Sequence, residues 1–289
     1  MKPLLKYFGS KAGMAPWIAS LMPPHRVYVE PFCGSAAVLL AKERSSHEVI
    51  NDLDGNLVNF YRVARATPDD LELACRLSPY ARDEFVAADL ADPSIDDLER
   101  ARRYWVRSNQ GFAQVAVNTG WSFSVLRGSN NARTAWNRLG RLAPFVDRLS
   151  GVVIENRDAL EVIERTDAVV GVIYLDPPYL GATRTSQRDG RRPAGDYVHE
   201  FDTEDDHRAL AAVARASKAT VLLSGYPDPL YDDELYADWH RVERTVLRRS
   251  SNGRSSARTH VTEVVWSNRP IPNTDGQLDL TIDTEALHA

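Results

Sequence analysis

The sequence predicts an α/β fold: a doubly wound, Rossmann-like parallel sheet interrupted by one mainly helical insertion. Three observations carry that expectation. Short β-branched runs, among them Val27-Tyr28-Val29, Val152-Val153-Ile154 and Val221-Leu222-Leu223, alternate with stretches of helical periodicity. Two such runs end in chemistry-bearing turns, Glu30-Pro31-Phe32-Cys33-Gly34 and Asp176-Pro177-Pro178-Tyr179. Between the first two of these runs lies a long stretch with a charge distribution of its own.

Taken in order, residues 27–30 read as a first strand that feeds a tight small-residue turn and an apolar helix. Residues 48–52 form the second strand, tipped by Asp52, and residues 55–64 a helix. A mainly helical insertion follows, broken at residues 111–131 by Gly, Asn, Ser and Thr that suit a hairpin or loop. The sheet resumes with strands at 151–155 and 169–175 around a helix at 159–165. A helix at 205–217 precedes a strand at 220–224, and residues 241–249 with 259–267 make a closing antiparallel pair. The division that follows is a catalytic domain from residues 1–62 and 150–268, an inserted recognition domain at 63–149, and a loosely ordered polar tail at 269–289.

At 289 residues and 43% hydrophobic, the chain can bury a sizeable core. Two cysteines, Cys33 and Cys75, make neither a disulfide framework nor a metal-ligand set, which points to a reducing cytoplasm and no metal. No stretch approaches the roughly 18 apolar residues of a membrane span, and the first five residues are too soon interrupted for a signal peptide. A soluble intracellular protein without a membrane partner is expected.

The apolar run at 169–175 reads as a buried strand, so Asp176 falls at its carboxyl end, where open α/β sheets bind ligands. An acid, two prolines and an aromatic ring suit the holding of a planar exocyclic amine. Asp176 accepts one amine hydrogen, the Pro177 carbonyl faces the second, Pro178 stiffens the turn, and Tyr179 offers a flat face for a nucleobase. The turn after the first strand brings backbone N–H groups and a helix N-terminus to the same crevice. It lacks the full G-x-G-x-x-G spacing, so a dinucleotide pyrophosphate fits poorly. Asp52 stands where a carboxylate grips ribose hydroxyls, with a helix cap as the other reading.

A formal net charge of −5 conceals a strong asymmetry. Residues 68–99 carry ten acids against two arginines, whereas residues 100–148 carry nine arginines against the single acid Asp147. The basic stretch also holds Tyr104, Trp105, Phe112, Trp121, Phe123 and Trp136, with Asn109, Gln110, Asn118, Asn130 and Asn131. Arginines for phosphate, amides for adenine edges and aromatics for wedging are the means of duplex readout. The other reading is a solvated helix, because Arg100, Arg103 and Arg107 fall at helical spacing and can pair with the preceding acids.

These motifs resemble the Dam-like, D12-class DNA adenine-N6 methyltransferases that use S-adenosylmethionine. The resemblance spans most of the chain. It begins at Lys6-Tyr7-Phe8-Gly9-Ser10-Lys11 and runs through Glu30-Pro31-Phe32, Gly34 and Asn51-Asp52. It continues with Asp176-Pro177-Pro178-Tyr179, Leu223-Ser224-Gly225-Tyr226 and Ser250-Ser251-Asn252-Gly253. The order, cofactor turn first and catalytic tetrapeptide after a large insertion, is similar to the α-type arrangement. One departure is Cys33-Gly34-Ser35-Ala36, where many relatives carry more glycine.

The resemblance implies a Rossmann-like S-adenosylmethionine methyltransferase sheet and assigns residues to the cofactor. They are Tyr7 as a packing partner, Gly9 and Ser10 beside it, Lys11 near the methionine carboxylate, and the turn Glu30, Pro31, Phe32, Gly34 and Ser35 beneath the amino-acid end. Asp52 falls to the ribose, Asp158 to the cofactor's adenine, and Asp176 to both cofactor and base. For double-stranded DNA it and the charge map nominate Lys6, Arg107, Asn109, Gln110, Asn118, Trp121, Arg127 and Arg133. Tyr197 and His199 join them from a pocket-closing stretch, and Ser251 and Asn252 from the last motif. The setting implied is a bacterial or phage-encoded enzyme, monomer or weak dimer, of the restriction–modification kind.

Chemically, a sulfonium methyl is already activated, so alignment and exclusion of water are the main tasks. The target base lies inside a duplex and has to be flipped, with Tyr179 stacking on it. Three other readings stay open at the level of sequence. These are methylation of cytosine N4, a DNA-binding protein that kept the fold without catalysis, and a nicotinamide dehydrogenase, which the missing glycine fingerprint disfavours.

Overall fold

The computed structural model describes residues 1–111, 120–123, 131–166, 171–180, 201, 203–249 and 258–271. Seven strands form one sheet: β1 (Val27–Glu30), β2 (His47–Asn51), β3 (Val152–Glu155), β4 (Val172–Leu175), β5 (Thr220–Gly225), β6 (His240–Arg249) and β7 (Arg258–Ser267). Their order is β3-β2-β1-β4-β5-β7-β6. The first five are parallel, whereas β7 runs antiparallel to both β5 and β6.

The strands are apolar on both faces because both faces are covered. Side chains alternate with period two. Tyr28, Val172, Tyr174, Leu222 and Val265 enter one core, while Val29, Ile173, Leu175, Val221, Leu223 and Trp266 enter the other. The second core is closed by α9 (Ala159–Thr166), α10 (Glu204–Ala216) and a π-helical turn at Leu230–Leu235. The first is covered by α1 (Ala15–Ser20), α2 (Ala37–Ala41), α3 (Gly55–Ala66) and the inserted helices α4 (Pro68–Leu77), α5 (Arg82–Ala87), α6 (Asp97–Gln110), α7 (Asn131–Leu139) and α8 (Leu142–Leu149).

Helix starts follow their capping chemistry. Asp54 accepts from the Asn56 and Leu57 backbone N–H groups to open α3, Asp96 accepts from Glu99 to open α6, and Thr203 with Asp206 forms a capping box for α10. The cap of α3 is therefore Asp54, two residues beyond Asp52, which leaves Asp52 for other work.

The insertion is not a separate globule. The expected boundary at residues 62 and 63 falls inside α3, which runs unbroken to Ala66, and Leu71, Tyr104, Trp105 and Phe145 share one core with sheet residues Tyr28 and Ile50. Buried Arg148, at the end of α8, donates to Glu48 of β2 at 2.6 and 2.9 Å and to the Leu39 carbonyl at 2.8 Å. Within residues 111–131, Gly111 and Trp121 form an antiparallel bridge. Of the expected tail, Ile271 is buried and residues 272–289 lie outside the described residues. No helix among the described residues is long and apolar enough to cross a membrane.

Candidate active site

The chain leaves β1 for β2 and β3 on one side, then returns to β4 on the other, so the crevice between the carboxyl ends of β1 and β4 is the topological switch point. At the opposite, amino ends of the same two strands, Gly171 lets them approach closely: a Cβ on it would lie 2.7 Å from the Val27 carbonyl oxygen. The two turns singled out by the sequence flank this crevice. The cleft between them is lined from both turns, by Pro31, Phe32, Cys33, Gly34 and Ser35 on one side and by Asp176 and Pro178 on the other.

Its floor is the turn after β1. Gly34 adopts φ +44°, and a Cβ on it would meet the Tyr7 ring at 2.7 Å, so the ring lies against bare backbone. Ala36 also takes a left-handed φ of 53°, at a point where more glycine was the family expectation. Asp52 holds the turn, accepting from the Gly34 N–H at 2.8 Å and the Asp54 N–H at 3.0 Å. Burial pushes its carboxyl up to about 7. Asn51 completes the clamp by donating to the Pro31 and Arg157 carbonyls and accepting from the Arg157 N–H.

Most residues expected at the cofactor line this cleft: Tyr7, Gly9, Ser10, Lys11, Pro31, Phe32, Gly34, Ser35, Asp52, Asp158 and Asp176. Ser10 and Ser35 hydroxyls meet at 2.7 Å, joining the amino-terminal element to the turn. Asp158 lines the cleft and also caps α9, accepting from the Leu160 N–H at 2.8 Å. Glu30 does not line it. The side chain is buried, accepts from the Tyr28 hydroxyl at 2.9 Å and the Leu39 N–H at 3.1 Å, and is pushed up to about 8 by burial. It ties β1 to α2, so the expected cofactor contact is replaced by an anchor.

Lys11, which lines the cleft, is only 7% exposed, and its ammonium lies 3.0 Å from Asp176 Oδ1 and 4.4 Å from the Tyr179 ring centroid. It thus joins the amino-terminal element to the end of β4. Ser224, on β5 beside β4, donates to Asp176 Oδ1 at 2.9 Å and meets the Tyr174 hydroxyl at 2.8 Å. Tyr226 packs edge-on against Tyr179 at 4.6 Å. Burial and the nearby Asp176 push the Tyr179 phenol well above its ordinary value, so it stays a donor. Pro178 lines the cleft, and Pro177 is buried.

The residues expected at DNA separate into three groups. Asn109 and Gln110 are at most 1% exposed, and their amides donate to the Trp105 and Pro79 carbonyls. Lys6 donates to the Asn109 carbonyl at 3.0 Å, its amine lowered to about 8 by burial and then by Arg138. Arg107 packs on the Phe85 ring at 4.3 Å and is half-buried. These four hold the insertion together, because a group already hydrogen-bonded inside a protein has no reach to a base edge.

Arg102 and Arg103 are engaged as well. Glu99 and Glu84 hold Arg102, while Glu99 and Asp92 hold Arg103. Of the arginines at helical spacing, Arg103 pairs with the preceding acids as the solvated-helix reading expects, whereas Arg100 donates to the Leu90 carbonyl, Arg107 packs on Phe85, and the other face of α6 is buried. A second group faces outward: Arg133 is exposed on α7, and Trp121 stacks on Phe123 at 5.4 Å and 8°, with Phe123 64% exposed and the Arg82 guanidinium 4.8 Å from the Trp121 ring. Asn118, Arg127, Tyr197, His199, Ser251 and Asn252 form the third group and lie outside the described residues.

Sequence reasoning missed Glu263, whose Oε2 accepts from the Tyr179 hydroxyl at 3.0 Å. The only signal was an acid inside the apolar strand Val261-Thr262-Glu263-Val264-Val265-Trp266. Phe201, which lines the cleft and meets Phe32 edge-on at 5.4 Å, was visible only as the end of the aromatic stretch after the tetrapeptide.

A cleft over a glycine turn, joined across a switch point to an Asp-Pro-Pro-Tyr strand end, defines a methyltransferase of exocyclic amines. Residues 7–248 match the D12 class N6 adenine-specific DNA methyltransferase family, and the chain belongs to it: the protein is a DNA methyltransferase acting on adenine N6. It is 28% identical over 286 residues to the type II methyltransferase M1.LlaDCHI of Lactococcus lactis subsp. cremoris, covering 93% of this chain and 95% of that one. It is 24% identical to the retron Ec67 DNA adenine methylase of Escherichia coli, with 91% of each covered. Likeness to the DNA N-6-adenine-methyltransferase of Escherichia phage P1 is 26% identity over 89% of this chain and 34% of that protein. Family membership decides for adenine over cytosine and against the dehydrogenase.

Proposed function

We propose that the methyl donor is S-adenosylmethionine and that the substrate is an adenine flipped out of double-stranded DNA. The observation that carries this reading is Asp176, which lines the cleft and at the same time stands beside Tyr179. One carboxylate thus borders both binding spaces.

The cleft fits the cofactor on its own terms. Bare backbone at Gly34 leaves room that a side chain would fill, Tyr7 and Phe32 supply apolar surface, and Asp52 supplies a carboxylate for ribose hydroxyls. Gly9, Ser10, Pro31 and Ser35 shape the amino-acid end, and Asp158 stands for the adenine. The bound sulfonium supplies an activated methyl group. Everything else is the work of the chain. Asp176, oriented by Ser224, and the Pro177 carbonyl accept the two N6 hydrogens and bias the nitrogen toward a pyramidal nucleophile. The carboxylate also stabilises the positive charge that develops on nitrogen. Tyr179 stacks on the base at a gain of roughly 1–3 kcal/mol.

On the DNA side we keep the outward-facing set, Trp121 and Arg133, together with Asn118, Arg127, Tyr197, His199, Ser251 and Asn252. The protein acts as a monomer or weak dimer in the cytoplasm of a bacterium, without a metal, in a restriction–modification or phage setting. The test is incubation of purified protein with methyl-labelled S-adenosylmethionine and duplexes carrying adenine or cytosine on one strand. N6-methyladenine in the first and no label in the second is expected; label in cytosine would overturn the base assignment.

A further inference from the structure

We infer that Glu263 is a positioning residue for methyl transfer, acting through Tyr179; this rests on the reading of Tyr179 as the base-stacking ring. β7 pairs with β5 from Ser267 back to Val264, opposite Gly225, so Glu263 is the first residue past the end of β5. By strand alternation it shares the side of Val265, on the face where Tyr28 and Tyr174 pack. It is 7% exposed. Burying a carboxylate there is unfavourable unless it is matched by donors, and two of the donors it meets belong to the site: the Tyr179 hydroxyl at 3.0 Å and the Lys11 ammonium at 3.9 Å.

Tyr179 is thereby fixed from three directions. Its hydroxyl is held by β7, Lys11 stands at its ring, and the Tyr226 ring from the end of β5 meets it edge-on. The bond at its oxygen resists a swing of the whole side chain away from the base, and the edge-on Tyr226 ring resists rotation about the ring's own axis. Three strands, β4, β5 and β7, thus set the orientation of one ring, and preorganisation of this kind affects the reaction step rather than binding. A buried ion pair kept for stability alone would be replaceable by apolar residues, and it would have no reason to end on the stacking ring.

The test is Glu263→Gln in the full-length protein, assayed with labelled S-adenosylmethionine and a methylatable duplex. The expected result is a kcat lowered about tenfold, short of the roughly 10²–10³ for loss of a group that meets the developing charge, with cofactor affinity and KM for DNA within about twofold of wild type. Tyr179→Phe breaks the same contact from the other side and should lower kcat similarly, and the double variant should be no slower than the slower single one. It also serves if Glu263→Gln fails to fold. An unchanged kcat in both singles, additive losses in the double, or a loss confined to cofactor affinity overturns the inference. A wild-type protein that labels no adenine would instead sink the reading on which it rests.

Discussion

The Asp52 carboxylate accepts the Gly34 N–H at 2.8 Å, joining the tip of β2 to the turn after β1. Its partner on the other oxygen, the Asp54 N–H, begins the approach to α3. Asp52→Ala therefore loosens the floor of the cleft as well as removing an acceptor for ribose. We expect S-adenosylmethionine binding to weaken by roughly 1.5–3 kcal/mol, the scale of hydrogen bonds to a charged group, about ten- to a hundredfold in Kd. Calorimetric titration is the check, and an unchanged Kd would leave Asp52 as a loop clamp only.

The same carboxyl should make binding depend on pH. Burial raises it from 3.8 to about 7, and ribose hydroxyls donate best to the charged form, so affinity should rise from about pH 6 to about pH 8. Asp52→Asn should abolish that rise. Stability runs the other way. A folded-state value above the unfolded one means that the contribution is fully present below 3.8 and is lost as pH rises through about 7. Glu30, raised from 4.5 to about 8, adds to the decline. Melting temperature should therefore fall across this window, and fall less in Asp52→Asn; equal slopes for variant and wild type would refute the assignment.

At the catalytic end, Asp176→Ala should leave the fold intact, because the side chain sits beyond the end of β4, and should cost at least the roughly 10²–10³ in rate seen for a preorganised group at a developing charge. Ser224→Ala, which frees Asp176 Oδ1 from its 2.9 Å hydrogen bond, should give a smaller loss in kcat. Wild-type turnover by Asp176→Ala would remove the mechanism.

Gly34→Ala offers a steric test. Its Cβ would need space that the Tyr7 ring holds at 2.7 Å, and a left-handed φ costs a non-glycine residue roughly 1–2 kcal/mol. Loss of cofactor binding with a lowered melting temperature is expected. A variant that binds normally would mean that the turn has another path in the loaded protein.

For DNA, neutralising Arg127 and Arg133 should reduce the slope of log affinity against log salt by about 0.9 for each phosphate that is no longer neutralised. Arg165 pairs with Glu161 on α9, and Arg215 with Asp238 and the Leu235 carbonyl beside α10; neutralising these two should leave the slope alone. Neutralising Arg102 and Arg103, held by Glu99, Glu84 and Asp92, should lower stability instead. If the Arg127 and Arg133 change leaves the slope at its wild-type value, the groove lies elsewhere.

What could be read from the residues was what local chemistry dictates. Strand positions showed because both faces of the sheet are covered, which makes β4 and β5 continuous apolar runs, and Asp176 showed because it ends one of them. Charge was harder to place. Arg102, Arg103 and Arg148 look alike in sequence, yet two of them close an ion network on α6 and one is buried against Glu48, and only the folded structure shows that Arg133 is exposed where these are not. Glu263 was missed, and the Lys11–Asp176 pair was not visible, for the same reason: segments far apart in the chain come together at Asp176 and Tyr179.

The long closing hairpin behaves as a strut. β6 and β7 stay paired from His240 and Ser267 out to Arg249 and Arg258, whereas β5 stops at Gly225, opposite Val264 of β7. At about 3.4 Å per residue, Arg258 stands roughly 17 Å from Glu263 along the strand. Lengthening the arm by two residues in each strand would move its far end by about 7 Å with every side chain keeping its face, while a single added residue would reverse the facing of all those beyond it. Hairpin length thus sets how far Arg249 and Arg258 stand from Glu263, and it can change without reversing side chains only in even steps.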